Sequence, residues 1–335
     1  MTFPPTRRAL PGAFACPGDA SASRRAFLAA SGGMALGGLL AAPAAWGQAS
    51  GAPAADGAYE PKRGQSGKDV IWIPTPDALV DRMLRLGQLT PQDFVMDLGS
   101  GDGKIVIAAA LQGARAEGIE YNGDLVELSR RRAAAAGVAE RTRFERADIF
   151  ASDFSRATLI TLYLLPRLNL RLRPRLMALK AGTRIVSHEF RMGKWKPDET
   201  SRVGYASMHL WLVPANVGGD WRLDFTQASG PVQAMLEMKQ SFQHPSGVVG
   251  FSQFETSLRE ARVAGNELRF GFIDEDGHLR RFLGQVSGDT LTGTVQNLTT
   301  RGPDTPFTAR RLGAAAPIEG AGEAPESEAE WMGEE

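Results

Sequence analysis

The chain has 335 residues, of which 43% are hydrophobic and 23% charged, so it has the composition of a globular protein and enough material for two ordinary domains. Its 38 basic and 38 acidic residues give a formal charge of zero, so no global field points to nucleic acid or to an acidic membrane, and we expect no nucleic-acid partner. Cys16 is the single cysteine and lies in a segment that we expect to be removed. A disulfide, a thiolate metal site and a cysteine nucleophile are therefore excluded from the mature chain.

Residues 1–49 have the features of a twin-arginine signal peptide. Arg24 and Arg25 precede an uncharged stretch from Ala26 to Ala49, which is rich in Gly and Ala and ends near small residues that suit cleavage. The pattern predicts export to the periplasm by the twin-arginine machinery, with no stable membrane span in the mature protein. The stretch is long enough to cross a bilayer, so an uncleaved membrane anchor is the alternative. Its Ala and Gly content makes it only mildly hydrophobic, which favours export.

Residues 50–68 are rich in Gly, Ala, Pro and Ser and predict a linker, after which strand and helix signals alternate over residues 69–216. The predicted elements are a helix over Asp77–Leu86, a strand ending at Asp97, a helix from Ile105, a strand over Ala114–Ile119, a helix over Tyr121–Gly137, a strand over Phe144–Phe150, a strand over Thr158–Tyr163, a helix from Pro166 to Leu179, a strand over Thr183–Ser187 and two extended runs within Ser201–Pro214. This alternation predicts an α/β fold with a doubly wound, Rossmann-like sheet and a final hairpin.

A glycine-rich turn follows the first strand of this sheet. Gly99, Gly101 and Gly103 let the backbone turn sharply after Asp97 and approach a ligand that a Cβ would push away. An ordinary strand-to-helix turn with incidental glycines is the alternative, because a bare pair of spaced glycines is weak evidence.

Acidic side chains end three successive predicted strands. A carboxylate such as Asp97 at the end of a buried strand is costly unless it meets a cation or backbone donors. Glu120 follows it at roughly the 20-residue spacing at which nucleotide-binding units place an acid on ribose hydroxyls, and Asp148 closes the third strand. Because ligands bind at the carboxyl ends of such strands, we expect these three acids to share one edge with Tyr163 and His188.

The turn does not fit a dinucleotide site. Lys104 stands where the third glycine of a G-x-G-x-x-G motif would be, and the neighbouring Asp97 and Asp102 disfavour an anionic pyrophosphate. A cationic, phosphate-free nucleoside suits the same carboxylates.

Residues 217–312 carry strand signals only. The predicted strands are Trp221–Phe225, Ala234–Phe242, Gly250–Leu258, Leu268–Ile273, Arg280–Val286 and Thr290–Val295, separated by turn signals that include Pro245–Gly247. This pattern predicts a small antiparallel β-barrel or sandwich. The acids at Asp274–Asp276 lack the spacing of a calcium loop, so we predict a hairpin turn and no metal site. Residues 313–335 are rich in Glu, Ala and Gly and predict a disordered acidic tail.

Residues 69–215 resemble class I S-adenosylmethionine-dependent methyltransferases, and within them the subgroup of ATP synthase c-subunit lysine methyltransferases. The resemblance is carried by Trp72–Pro76, Asp97–Val106, Gly118–Asn122, the turn at Asp148 and Tyr163–Pro166. The fixed positions of the D-x-G-x-G-x-G motif of the class are all present from Asp97 to Gly103.

The resemblance implies roles for individual residues. Asp97 and the glycine turn would hold the methionine part of S-adenosyl-L-methionine, Glu120 the ribose hydroxyls, and Asp148 would face the adenine amino group. The implied cofactor-binding set is Thr75, Asp97, Gly99, Ser100, Gly101, Gly103, Glu120, Asn122 and Asp148. The implied substrate-binding set is Trp72, Pro74, Tyr163 and Pro166. The Asn/Asp-Pro-Pro-Tyr form found in nucleic-acid amino methyltransferases is missing.

Three side chains are candidates for the chemistry. A lysine acceptor must lose its proton, which a desolvated, aromatic-lined site favours by lowering its pKa, and Trp72 and Tyr163 are candidate walls of such a site. His188 is a candidate base, although a histidine at a strand end is more often structural.

Three functions stay open at this stage. The chain is a methyltransferase on a protein lysine, a methyltransferase on a small molecule, or an exported binding module that keeps the fold without turnover. Export raises the question of cofactor supply, because S-adenosylmethionine is made in the cytoplasm. We expect the first of the three functions.

Overall fold

Two β-sheets organise the computed structural model, which describes residues 59–66 and 72–322 of the chain. The predicted signal peptide and most of the predicted linker lie outside these residues, so both stay predictions. No helix in the described ranges combines the length and apolar character needed to cross a membrane. The described residues all fall within one compact unit, and the independence of the two predicted domains within it also stays a prediction.

The first sheet has seven strands with helices on both faces. Its elements are α1 (Asp77–Leu86), β1 (Phe94–Leu98), α2 (Lys104–Leu111), β2 (Arg115–Glu120), α3 (Gly123–Ala135), β3 (Thr142–Arg146), β4 (Leu159–Leu162), α4 (Pro166–Met177), β5 (Arg184–His188), β6 (Glu199–Val203) and β7 (Ala206–Leu212). The strand order is β3-β2-β1-β4-β5-β7-β6, with β1 to β5 parallel and β6 and β7 antiparallel. The predicted α/β sheet with a final hairpin is confirmed.

Alternate side chains of the central strands supply two separate cores. Val95 on β1 packs with α1, α2 and α3 on one face of the sheet, whereas Met96 packs with α4 on the other. Both faces of β1 are therefore covered, which explains its continuous apolar run. The strand order reverses between β1 and β4, and this switch point is where open α/β sheets bind ligands.

The second sheet is antiparallel and nearly closed. Its strands are β8 (Gly219–Gln227), β9 (Gly230–Ser241), β10 (His244–Gly250), β11 (Glu255–Ser257), β12 (Arg259–Ala264), β13 (Glu267–Ile273), β14 (Leu279–Ser287), β15 (Thr290–Asn297) and β16 (Thr305–Arg311), in the order β11-β10-β9-β8-β16-β15-β14-β13-β12. The two ends of the sheet meet, because Val263 N–H donates to Gln243 O at 3.0 Å and Leu258 N–H donates to Gly247 O at 2.9 Å. Buried phenylalanines fill the interior, so the barrel alternative describes this sheet better than the sandwich.

Two details of the predicted β region are wrong. Pro245–Gly247 is no turn but part of β10, and the chain reverses at Phe242, whose φ is +50°, and Gln243. The predicted strand over Gly250–Leu258 is interrupted, because β10 ends at Gly250 and β11 begins at Glu255. The strands β12 and β16 were not predicted at all.

The start of the predicted acidic tail differs from the expectation of disorder. Glu319 N–H donates to Gln240 O at 2.8 Å, and Ile318 and Ala321 pack against the same core as α4. The physical reason is composition, because Ile318 and Ala321 are apolar and bury their side chains against this core. Residues 323–335 lie outside the described part of the chain.

Candidate active site

The glycine turn between β1 and α2 holds its shape through backbone contacts and close packing. Gly99, Gly101 and Gly103 all have positive φ, at +83°, +54° and +80°. A Cβ at Gly101 would lie 2.7 Å from the indole nitrogen of Trp72, so glycine lets Trp72 close over the turn. A Cβ at Gly103 would meet Ser129 at 2.8 Å. Gly103 therefore serves the packing of α2 against α3.

Asp97 is a buried carboxyl at the end of β1. Only 3% of its surface is exposed, and the Thr161 hydroxyl donates to its Oδ1 at 2.6 Å. Burial raises the pKa of Asp97 to about 7; the bond from Thr161 opposes this shift, and the charges of Glu120 and Asp102 add to it. A bound cation would reverse the shift, because an opposite charge favours the ionised carboxylate.

Glu120 connects the end of β2 to the glycine turn. Its Oε2 accepts from Gly101 N–H at 3.0 Å and its Oε1 accepts from Asn122 N–H at 2.8 Å. The Asn122 side chain in turn caps α3 by accepting from Asp124 N–H at 2.9 Å. The carboxylate thereby fixes both the turn and the start of the next helix, and it retains lone pairs for further hydrogen bonds.

A cavity of about 260 Å³ lies at this edge of the sheet. Of the predicted site residues, it is lined by Trp72, Pro74, Thr75, Asp97, Gly99, Ser100, Gly101, Glu120, Asn122, Asp148 and Tyr163. The structure thus brings together residues from five separate segments. Gly103, Pro166 and His188 do not line it: Gly103 packs α2, Pro166 begins α4, and His188 lies behind Tyr163.

Sequence reasoning missed several lining residues. Asp102 lines the cavity while paired with Arg132, and Lys104 lines it while paired with Asp77 at 2.8 Å. Both residues belong to the glycine-rich motif, but nothing in the sequence indicates the side chains with which they form ion pairs. The remaining lining residues that were not predicted are Gln65, Ser66, Ile73, Ile105, Tyr121, Leu125, Ala147, Ile149, Leu164, Leu165, Leu168 and Phe190.

Aromatic rings form the side of the cavity away from Glu120. The ring centroids of Tyr163 and Phe190 are 6.3 Å apart and nearly parallel, and those of Tyr163 and His188 are 4.0 Å apart. Burial raises the pKa of the Tyr163 phenol and lowers the pKa of His188, so both are neutral near pH 7. His188 Nδ1 has no hydrogen-bond partner within residues 59–66 and 72–322. Because the ring of His188 stands behind Tyr163, its predicted role as base stays a prediction.

Phe190 reaches the cavity through a strained turn at Glu189. This residue has φ at +66°, and Phe190 N–H donates to His188 O at 2.8 Å, which closes a three-residue γ-turn. A left-handed conformation in a residue other than glycine costs on the order of 1–3 kcal/mol and clusters at functional sites. The turn directs His188 inward and Phe190 towards the cavity.

Similarity to known proteins agrees with this geometry. A sequence model of the ANTKMT methyltransferase domain matches residues 97–199. A protein-lysine N-methyltransferase from Saccharolobus islandicus is 38% identical over 143 residues, which is 42% of this chain and 89% of that protein. The chain belongs to the protein-lysine N-methyltransferase family. It is a class I S-adenosylmethionine-dependent methyltransferase, as the resemblance implied, and S-adenosylmethionine is its cofactor.

Two other similar proteins differ from this relative, one in the share of its length that is matched and one in its described substrate. The mouse lysine N-methyltransferase of the ATP synthase c-subunit is 32% identical over 148 residues, which is 44% of this chain and 60% of the mouse protein. A crystal structure of an RNA methyltransferase from Salinibacter ruber in complex with S-adenosyl-L-homocysteine is 47% identical and covers 43% of this chain and 96% of that one, with a TM-score of 0.43.

The side chains in the cavity fit this cofactor. S-adenosylmethionine carries a sulfonium and an ammonium, and the cavity offers carboxylates at Asp97, Glu120 and Asp148. Ser100 Oγ is buried without a hydrogen-bond partner among the described residues, which leaves a polar atom available at the glycine turn. The predicted division of labour among these side chains stays a prediction.

We predict that Glu120→Ala weakens binding of S-adenosylmethionine by about 1.5–3 kcal/mol, the range for hydrogen bonds to a charged group. The mutation removes the carboxylate and also releases Gly101 N–H from its acceptor. Titration calorimetry on the purified protein measures the effect, and Glu127→Ala, at an exposed acid of α3, is the matched control. Equal affinities in the two variants would contradict the role of Glu120.

Proposed function

We propose that this methyltransferase transfers a methyl group to a lysine amino group of a protein. The observation that carries the proposal is the division of the cavity into a carboxylate-bearing part at Asp97 and Glu120 and an aromatic part at Tyr163 and Phe190. The first part suits a cationic cofactor, and the second suits a long aliphatic side chain with an amino group at its end. The family relationship supports the same acceptor class.

The aromatic part has two tasks in this proposal. Rings that exclude water lower the pKa of an amino group between them, because desolvation penalises the ammonium form. Tyr163 and Phe190 also restrict the direction from which an amine approaches, and alignment supplies much of the acceleration in a transfer from a good leaving group. The chain's own contribution is thus desolvation and orientation.

The Tyr163 hydroxyl is the polar atom on this wall. Because its pKa is raised, it remains a donor at neutral pH and also offers lone pairs to an incoming N–H. We propose that it accepts a hydrogen bond from the acceptor amine and so holds the nitrogen lone pair towards the methyl group.

The proposal predicts labelled methyl transfer from S-adenosylmethionine to a protein in cell extract. Tyr163→Phe should reduce transfer by one to two orders of magnitude, since a misplacement of about 1 Å can cost that much in rate. Its affinity for the cofactor should be unchanged, as measured by calorimetry. Tyr205→Phe, at an exposed tyrosine on the β6–β7 hairpin, is the matched control.

The same assay separates the alternatives. Label confined to low-molecular-weight material would replace the protein acceptor by a small molecule, and label in RNA would contradict a lysine acceptor. Tight cofactor binding with no transfer in any fraction would support the non-catalytic binding module.

We further propose that the protein works in the periplasm after twin-arginine export. The support is the Arg24-Arg25 pair ahead of the uncharged stretch to Ala49. Because that route carries folded proteins, the cofactor has a way to leave the cytoplasm while bound, although one bound molecule permits one turnover.

Replacing Arg24 and Arg25 together by lysine should retain the protein in the cytoplasm, as measured by immunoblotting of cell fractions. Replacing Arg7 and Arg8 by lysine is the matched control and should leave export intact. Export of both variants would contradict the signal assignment, and recovery of the wild type in washed membranes would support the anchor instead.

A further inference from the structure

Glu189 stands in the chain between His188, whose ring centroid lies 4.0 Å from that of Tyr163, and Phe190, which lines the cavity. It is exposed, whereas its neighbour His188 is buried and its neighbour Phe190 lines the cavity. The γ-turn produces this arrangement, because a left-handed residue at the end of β5 turns successive side chains in different directions. An exposed carboxylate is therefore held one residue along the chain from Phe190, whose ring stacks on Tyr163.

The rest of the fold keeps Glu189 in position. Its backbone N–H donates to Ser207 O at 2.7 Å, and its Oε2 accepts from Ser207 N–H at 3.1 Å. Its carbonyl oxygen is 3.3 Å from Nε2 of the buried His209. Three contacts to β7 fix both the backbone and the carboxylate, so the strained turn is enforced by the neighbouring strand.

The charge of Glu189 is not neutralised by an ion pair among the described residues. Within residues 59–66 and 72–322, its carboxylate forms no salt bridge, and its one side-chain hydrogen bond is to a backbone N–H. After burial, its charge is the next cause that raises the pKa of Tyr163, while Arg63 acts on the same phenol in the opposite direction. Its field therefore reaches the aromatic wall.

We propose that Glu189 is the acceptor-binding carboxylate, which draws the ammonium group of a substrate lysine to the opening between Tyr163 and Phe190. The inference rests on the proposed function and names a specificity residue for it: a cationic side chain is attracted and an anionic one is repelled.

In this proposal Glu189 binds the incoming ammonium group and does not remove its proton. A carboxylate close to an ammonium favours the charged form, so an amine held at Glu189 stays protonated. Passage from Glu189 into the aromatic part separates the two charges and desolvates the amine. Glu189 should therefore affect KM and its salt dependence, and leave kcat nearly unchanged.

Kinetics of Glu189→Gln test this role, with the protein fraction labelled by the wild type as substrate. We expect KM to rise about tenfold at low salt, with the difference from wild type shrinking as salt is raised, because exposed charges act through a screened field. Glu189→Gly should raise KM in the same way while it relieves the turn, which separates charge from backbone strain. Glu140→Gln, at an exposed acid on the opposite edge of the sheet, should match the wild type. An unchanged KM, or an equal loss of affinity for S-adenosylmethionine, would overturn the inference.

Binding of a small ammonium compound tests the role of Glu189 without requiring methyl transfer. Saturation-transfer NMR on the S-adenosylhomocysteine-bound protein should detect n-butylammonium, which mimics the end of a lysine side chain, and should detect n-butanol more weakly. Glu189→Gln should abolish the preference for the cation. Absence of protein labelling by the wild type would count against the proposed function, whereas an unchanged preference in the variant would count against Glu189.

Discussion

The site depends on one unfavourable burial, that of the Asp97 carboxyl at the end of β1. A carboxylate in this place is destabilised by loss of water, and Thr161 offsets only part of that cost. Among the described residues, no cationic side chain pairs with Asp97. The two nearest acids have their own partners, because Asp102 pairs with Arg132 and Glu120 accepts from backbone N–H groups. The fold thus buries the Asp97 carboxyl without a positive charge beside it, and a cationic ligand would supply that charge.

The two parts of the cavity are built by different means. The carboxylate part follows from the parallel sheet itself, because Asp97, Glu120 and Asp148 each lie within two residues of the end of β1, β2 or β3 at the same edge. The aromatic part follows from β5 and its antiparallel neighbour β7, which hold the strained turn at Glu189 and so aim Phe190 at Tyr163. Phe190 therefore joins the cavity at the place where the sheet changes from parallel to antiparallel pairing.

Much of the first part was predictable from sequence because its signals are local. The end of each strand is indicated by an apolar run followed by an acid, and for β1 also by closely spaced glycines. The parallel topology then brings those ends together. Gly103 shows the limit of that reasoning, because the same motif position serves helix packing against Ser129. The distinction between approach to a ligand and approach to a neighbouring helix is made by tertiary contacts.

The aromatic part and the barrel were harder to predict for physical reasons. A left-handed turn is expected at Gly or Asn, so Glu189 gives no signal of the turn that places Phe190. Pro245 and Gly247 carry strong turn chemistry, yet pairing with β9 keeps them within a strand. Ile318 belongs to a compositionally disordered tail and is nonetheless held by a nearby apolar surface. In each case long-range packing outweighs local preference.

The proton balance of cofactor binding tests the role of Asp97 most directly. Its pKa of about 7 means that the carboxyl is mostly protonated at pH 6 in the free protein, and a bound cation stabilises the carboxylate. Calorimetry in buffers of different ionisation enthalpy should therefore find release of nearly one proton per S-adenosylmethionine bound at pH 6. The release should fall towards zero by pH 8, and Asp97→Asn should abolish it at both values. Binding without proton release by the wild type at pH 6, or equal release by the variant, would contradict the account.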